Sequence, residues 1–420
     1  MPASKPRVGA GFIVSFTAAL IGIWMLIMTP ATVSLALRIS QIDPDNATNS
    51  YSLVAGVGAL FALVANPLFG RLSDMTTSRF GMRRPWIVIG TVGGVVSAVL
   101  MAIAPNIATM FVAWALMQLL VNAAVAALIA VIADQVPDEQ TGIMSGITGM
   151  TPTAGILLGS FVVQLLPNNT FMVFVVPAIV AAVTVTIFLF VLKDRVLARA
   201  ETTFDMREFA SSFVIDPRRS PSLSWFLLTM FLTATGLGVI QTYLFFLAAE
   251  KQGVAGSEVA TVVFYLVLVM NLISLIVAFA AGVLSDRIGG RRVMFGVGGA
   301  LLAVGAVVMV ATPDLVELFI GVAVAGVGYG LIAGIYVAVA RGAMTDLTST
   351  ARDFGLINLS FVLPNSLVPF AAPLVLGIGG GTHNYFALFV IGAIVTLLGI
   401  PLLAKVKQNA KAVAAAHVHH

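Results

Sequence analysis

The chain has 420 residues, of which 59% are hydrophobic and 10% charged, with 22 Lys+Arg against 18 Asp+Glu for a formal charge of +4. Soluble domains carry roughly a quarter of their residues as charges, so this composition excludes a soluble protein and puts most of the chain in a bilayer. The absence of cysteine excludes disulfides, Cys-ligated zinc and thiol catalysis, and the basic residues form no stripe with interleaved aromatics of the kind that binds nucleic acid.

A helix needs about 20 apolar residues to cross a hydrocarbon core about 30 Å thick. Met1 to Arg7 is short and weakly basic, and the apolar stretch after it is too long for a signal-peptide core, so it reads as a first span. Breaking the chain at charges and Pro/Gly clusters predicts spans at 11–37, 51–71, 86–104, 107–133, 142–166 and 170–192. After a polar linker over 193–222 come 223–248, 257–284, 293–311, 314–340, 354–377 and 383–404, with a tail over 405–420. Segments such as Trp86 to Ala104 are apolar all round, which excludes a β-barrel, where apolar and polar residues alternate. The expected fold is therefore all-α and integral to the membrane, with twelve transmembrane helices in two bundles, 1–192 and 223–404.

The two halves repeat one another. Gly70-Arg71-Leu72-Ser73-Asp74 with Gly81-Met82-Arg83-Arg84 returns as Gly282-Val283-Leu284-Ser285-Asp286 with Gly290-Arg291-Arg292, an offset of 212 residues at Gly70 and Gly282. Asp134 and Asp346 share that offset, as do Pro152 and Pro364, while Pro105 and Pro313 are 208 apart because the first turn is four residues longer. Short cytoplasmic loops collect Lys and Arg. On the map above, 20 of the 22 basic residues fall on the face that carries the repeated turn; Arg38 and Lys251 are the exceptions. This places both termini in the cytoplasm, and the linker, with six basic residues, along the inner surface of the cell membrane.

At this point the sequence resembles a family. The Gly-x-x-Ser-Asp…Gly-x-Arg-Arg turn between spans two and three, its degenerate copy between eight and nine, and six plus six helices resemble the major facilitator superfamily of secondary transporters. The stretch Ser73 to Ile87 is similar to that superfamily's sucrose and glycoside-cation symporter branch, from which it departs at Met75 and Met82, where that branch has Arg. The resemblance implies alternating access around a midplane cavity. The two methionines leave the first turn with fewer cations, and a weaker latch is expected there.

Physical chemistry points to the same turn as a cytoplasmic gate of Gly70, Asp74, Arg79, Gly81, Arg83, Arg84, Gly282, Asp286, Arg291, Arg292, Asp134 and Asp346. Gly70 and Gly282 lack a Cβ and would permit close helix approach, while the carboxylates can meet helix N-termini and guanidinium groups. For cargo, the fourth span holds Trp114, Gln118 and Asn122 on one face at i, i+4 and i+8, suited to hydroxyl recognition. An ungapped comparison through Asp134 puts Asn122 on an Asn of plant sucrose transporters and Gln118 on their coupling acid, which Gln118 cannot replace as a proton carrier. Trp24, Gln241, Tyr243, Tyr329 and Tyr336 lie on helices that line the cavity in this superfamily. Asn271, Asn358 and Asn365 are read as bonding between helices. No carboxylate sits at mid-membrane.

The sequence thus points to a monomeric transporter of a small neutral solute, a sugar or glycoside, with a coupling H+ or Na+ left open and no cofactor, enzyme activity or nucleic-acid partner. The glycines around Pro152 keep an exporter of amphipathic compounds in view, and the missing buried acid is compatible with a membrane sensor. His417, His419 and His420 read as a terminal tail and not as a metal site.

Overall fold

The computed structural model describes residues 6–166, 168–197, 217, 220–252, 257–288, 290–311, 313–344, 350–379 and 383–406. Most of the linker, Asp346 and the three terminal histidines lie outside the described residues, as do the side chains of Asp286 and Arg352.

Among the described residues there are twelve helices long and apolar enough to cross a membrane, and no strand. In chain order they are α1 (Ala10–Ile42), α2 (Ala47–Asp74), α3 (Arg84–Ile103), α4 (Ile107–Gln135), α5 (Asp138–Leu165) and α6 (Thr170–Val191). They continue as α7 (Pro221–Gln252), α8 (Ser257–Ile288), α9 (Arg291–Ala311), α10 (Leu315–Ala343), α11 (Thr350–Leu376) and α12 (Tyr385–Gly399). The starts of α4, α6, α10 and α12 are capped by Asn106, Asn169, Asp314 and Asn384, whose side chains accept from backbone amides in the first turn. α1 runs past the expected end at 37 to Ile42 through a π-helical turn at Pro30–Ser34, and α12 stops at Gly399, short of the expected 404. Pro30 has no amide to continue the α-ladder, and the turn absorbs the defect: Leu35 N–H bonds Pro30 O, and Tyr51 Oη of α2 donates to Ala31 O at 3.3 Å. Pro152 in α5 is handled locally, because Thr151 Oγ1 donates at 2.7 Å to Thr148 O, the carbonyl that residue 152 would otherwise engage.

The chain divides into two compact units, one holding α1–α6 with the start of α8 up to Phe264, the other α7, α8 from Tyr265 onward and α9–α12. In the first, Phe12 and Phe16 of α1 meet Phe188 of α6, with ring centroids 5.7 and 5.5 Å away. In the second, Phe226 of α7, Phe295 of α9 and Ile332 and Ile335 of α10 form the centre of a buried cluster.

The internal repeat holds at the level of helix contacts. A Cβ on Gly90 of α3 would strike Leu120 O and Ala124 of α4, and one on Gly298 of α9 would strike Gly328 O and Ile332 of α10, each residue 208 positions from its counterpart. Likewise Gly22 of α1 packs on Thr184 of α6, and Gly236 of α7 on Thr396 of α12, the two threonines 212 apart. Such contacts matter because lipid gives apolar helices no hydrophobic reason to associate, leaving close backbone packing to do so. The expectation that Gly70 serves this purpose is corrected: a Cβ there meets nothing within 4 Å, whereas one at Gly282 touches Gly334 O of α10 at 3.7 Å.

Gly328→Leu is expected to lower the stability of the detergent-solubilised protein by about 1–3 kcal/mol, because the added atoms meet backbone and not a movable side chain. Gly70→Ala should change it by less than about 0.5 kcal/mol, as a substitution into open space. Thermal unfolding of both variants in one detergent checks the contrast.

Candidate functional site

The turn between α2 and α3 is organised around one buried cation. Arg83, whose side chain is 5% exposed, reaches Asp74 Oδ1 from Nη1 at 2.7 Å and Asp134 Oδ2 from Nε at 2.7 Å. A second, longer bond runs from Nη2 to Asp134 Oδ1 at 3.4 Å, and Nη1 also donates to Ser73 Oγ at 2.8 Å. The ends of α2 and α4 are thereby tied to the residue that precedes α3. Burial alone would lower the pKa of this guanidinium, but the hydrogen bonds and charges of Asp134, and then of Asp74, outweigh it and hold the pKa above its ordinary value. The two carboxylates differ in setting: the Asp74 side chain is 47% exposed and that of Asp134 is 29% exposed.

A third acid completes the turn. Asp194 lies just beyond α6, in the stretch read from sequence as the start of the linker, and its Oδ2 accepts from Arg83 N at 2.8 Å and Arg84 N at 2.7 Å. It caps the N-terminus of α3, where unpaired amides and the helix dipole favour an anion. Gly81 has φ of 108°, and a Cβ there would collide with the Asp194 carboxylate, so this glycine is required twice over. Met82 N donates to Arg195 O at 2.9 Å, Gln135 Nε2 donates to Lys193 O at 2.7 Å, and Arg84 Nη2 bonds the α6 carbonyls of Leu189 and Leu192. Trp86 Nε1 donates to Thr76 Oγ1 at 2.7 Å and closes the loop from inside.

Several expected members stand elsewhere. Arg79 is exposed, with its guanidinium 4.8 Å from the centroid of the Phe80 ring. Met82 is buried, so the side chain at that position points into the packing and not toward the carboxylates. In the second copy Val406 is buried at the position 212 residues after Asp194, and Arg292 Nε, like Arg84 Nε, is buried without a hydrogen-bond partner. Arg38, one of the two basic residues on the opposite face, donates from Nη2 to Ala104 O at 2.8 Å and so caps the C-terminus of α3.

The residues expected to bind cargo are only partly gathered. Asn122 Nδ2 donates to Gln118 O at 2.7 Å and lies 3.4 Å from Gln118 Oε1, so this pair is linked along α4. Trp114, one turn earlier, is buried with its indole edge against Gly58 of α2, and Nε1 has no partner. Trp24 is half-buried beside Gly155 of α5. In the second unit Tyr243 is fully buried next to Phe246, Gln241 is exposed, and Tyr336 is half-buried against the apolar cluster. Tyr329 lines a recess of only about 10 Å³ with Met230, Thr233, Leu237 and Phe361. Asn271, expected to bond a neighbouring helix, donates instead to Val267 O of its own helix at 2.9 Å, a bond that an Asn can make one turn back wherever it faces along the helix. Asp194 is the member that sequence reading missed, since nothing local to residue 194 signals a contact 111 residues away.

Twelve apolar helices, halves that repeat in their helix contacts, and a charged turn at the helix ends define a polytopic helical membrane protein of the transporter kind. The chain belongs to the Major Facilitator Superfamily, whose family model matches residues 8–279. Its fold is similar to that of the nucleoside transporter NupG, solved as a point mutant, with TM-score 0.74, 13% identity and coverage of 94% of this chain and 99% of that one. It is also similar to the human organic anion transporter MFSD10 (TETRAN), with TM-score 0.67, 16% identity and coverage of 94% and 99%. A third similar structure is a bacterial homologue of the human lysosomal transporter Spinster, inward-facing and unoccupied, with TM-score 0.68, 14% identity and coverage of 95% and 96%. Among curated proteins none matches the sequence significantly. The expected fold is thus confirmed, and the protein is a membrane transporter of small-molecule solutes and not an enzyme.

Asp134→Asn is expected to cost about 1–3 kcal/mol, because it removes a charged acceptor from a buried donor. Asp74→Asn should cost less than about 1 kcal/mol, since water screens a carboxylate exposed to 47%. Thermal unfolding of the two variants in the same detergent measures the ranking, and equal losses would refute the central role given to Asp134.

Proposed function

We propose that the protein carries a small neutral, polyhydroxylated solute, a sugar or glycoside, across the inner membrane by alternating access. One observation carries the reading. Every Asp, Glu, Lys and Arg inside a span lies within four residues of that span's end, Arg38 being the deepest. A charged cargo at mid-membrane would lose its hydration with no countercharge to replace it, at a cost of several kcal/mol. A neutral solute needs only hydrogen-bonding side chains and aromatic faces, of the kind that Trp24, Gln118 and Asn122 carry in the first unit. The Gln118–Asn122 pair is the best placed of these, since its amides already face one another and retain donors and acceptors for hydroxyl groups.

In this reading both termini are cytoplasmic, the chain works as a monomer, and the turn built on Arg83 is the cytoplasmic gate. Asp74 is its releasable partner and Asp134 its fixed one. The same absence of mid-span acids argues against a carboxylate proton relay, and leaves facilitated diffusion, an end-of-helix acid, or sodium held by carbonyls as routes of coupling. The glycine-rich α5 around Pro152 supports, as a second reading, an exporter of amphipathic compounds.

Counterflow of radiolabelled neutral sugars into proteoliposomes should be saturable and should proceed without an imposed pH gradient. Gln118→Ala and Asn122→Ala should each weaken apparent affinity by about tenfold, the loss of one or two hydrogen bonds to cargo. Dye extrusion without any sugar flux would overturn the sugar reading in favour of the exporter.

A further inference from the structure

A groove of about 330 Å³ runs along the second unit between α9 and the segment after α12, with Val293, Gly296, Val297, Ile400 and Leu403 as its apolar walls and Arg292 at its end. It exists because α12 stops at Gly399 and the chain continues as a 3-10 turn through Pro401–Lys405. Gly296 keeps it open, since a Cβ there would sit 3.3 Å from Ile400 Cγ2. The wall is not covered by protein, as Val293 is 70% and Val297 47% exposed. These residues belong to membrane spans, so the surrounding medium is lipid.

The polar end of the groove carries a cation. Arg292 Nε is buried without a hydrogen-bond partner. Its counterpart in the first unit, Arg84, 208 residues earlier, has an unpaired Nε as well but donates from Nη2 to the carbonyls of Leu189 and Leu192. The neighbouring Lys405 is already engaged, its Nζ 4.1 Å from the centroid of the Trp225 ring. An apolar trough that ends on a guanidinium with a buried, unpaired N–H matches a molecule with a chain at one end and an anion at the other.

We propose that this groove is a binding site for an anionic phospholipid, one acyl chain lying along Val293, Gly296, Val297 and Ile400 and the phosphate held by Arg292. The planar fork of the guanidinium suits two phosphate oxygens at once. The anionic headgroup leaves this single cation unopposed, whereas a zwitterionic one brings an ammonium of its own against it. The site is independent of the cargo and of the turn built on Arg83.

Native mass spectrometry of the full-length protein, incubated with equal amounts of phosphatidylglycerol and phosphatidylethanolamine of the same chains, tests the proposal. Phosphatidylglycerol adducts should be favoured about fivefold, the worth of one basic residue at an anionic surface. Arg292→Gln should bring the two lipids near parity and Arg292→Lys should keep most of the preference. Gly296→Leu, which leaves every charge in place, should remove the retained lipid and supplies an independent test if the Arg292 variant does not fold. Glycerol phosphate, the headgroup without chains, should not displace the lipid. An absent preference, a preference that survives Arg292→Gln, lipid retention unchanged in Gly296→Leu, or displacement by glycerol phosphate would each overturn the lipid site, the last in favour of a plain anion site.

Discussion

A bilayer offers no water to complete a hydrogen bond or surround a charge, and most of what this chain does follows from that constraint. At three breaks among the described residues, the freed backbone group finds a partner nearby. Ala31 O in the π turn takes the Tyr51 hydroxyl, Thr148 O below Pro152 takes the Thr151 hydroxyl, and Ala104 O at the end of α3 takes Arg38. Ionisable groups are pressed to the ends of the spans, and Arg83, the most covered arginine among the described residues, is surrounded by two carboxylates and a serine. A buried cation of this sort is valuable for what it specifies more than for net stability, since desolvation consumes much of the Coulombic gain. Here it specifies that the ends of α2, α3 and α4 meet at one point.

The repeat is close in its helix contacts and broken in its polar chemistry. Gly90 with Leu120 and Gly298 with Gly328 are the same contact built twice, as are Gly22 with Thr184 and Gly236 with Thr396. At the charged turns the two halves part. The first half has an acid from beyond α6 on the α3 N-terminus, and the second has buried Val406 at the corresponding offset. Duplicated packing keeps two units of one shape, and the divergence of the turns gives each unit its own chemistry at the membrane surface.

Much of the fold was legible in the sequence because lipid leaves a loud signal: a run of about 20 apolar residues has few alternatives to a spanning helix. Span ends near Ala104, Ile107 and Ala311 were read to within a residue, where Pro or Asn marks the break. The end of α1 was not, because the helix continues beyond the expected 37 to Ile42 through the polar residues Arg38, Ser40 and Gln41, which end an apolar pattern without ending a helix. Within the site, Arg83, Asp74 and Asp134 were legible from the duplicated motif, whereas Asp194 was not, because its partners at the start of α3 are reached only by folding α3 to α6 back and forth across the membrane. Gly81 was legible as a motif residue, but its reason, a positive φ beneath a carboxylate, needed coordinates. The cargo residues were chosen by side-chain type, and type alone does not tell a polar group facing a cavity from Trp114, which faces a neighbouring helix.

The bond from Asp194 to the start of α3 also sets where the chain between the two halves begins. With Asp194, Arg195 and Leu197 held against the first unit, the leash to the second half is paid out from the charged turn and not from the tip of α6. Releasing that stretch would add residues 194–197 to the leash, roughly 13 Å of reach at full extension. The point where the connection between the halves begins is therefore set by three acceptors at one turn, the Asp194 carboxylate, Arg195 O and Lys193 O.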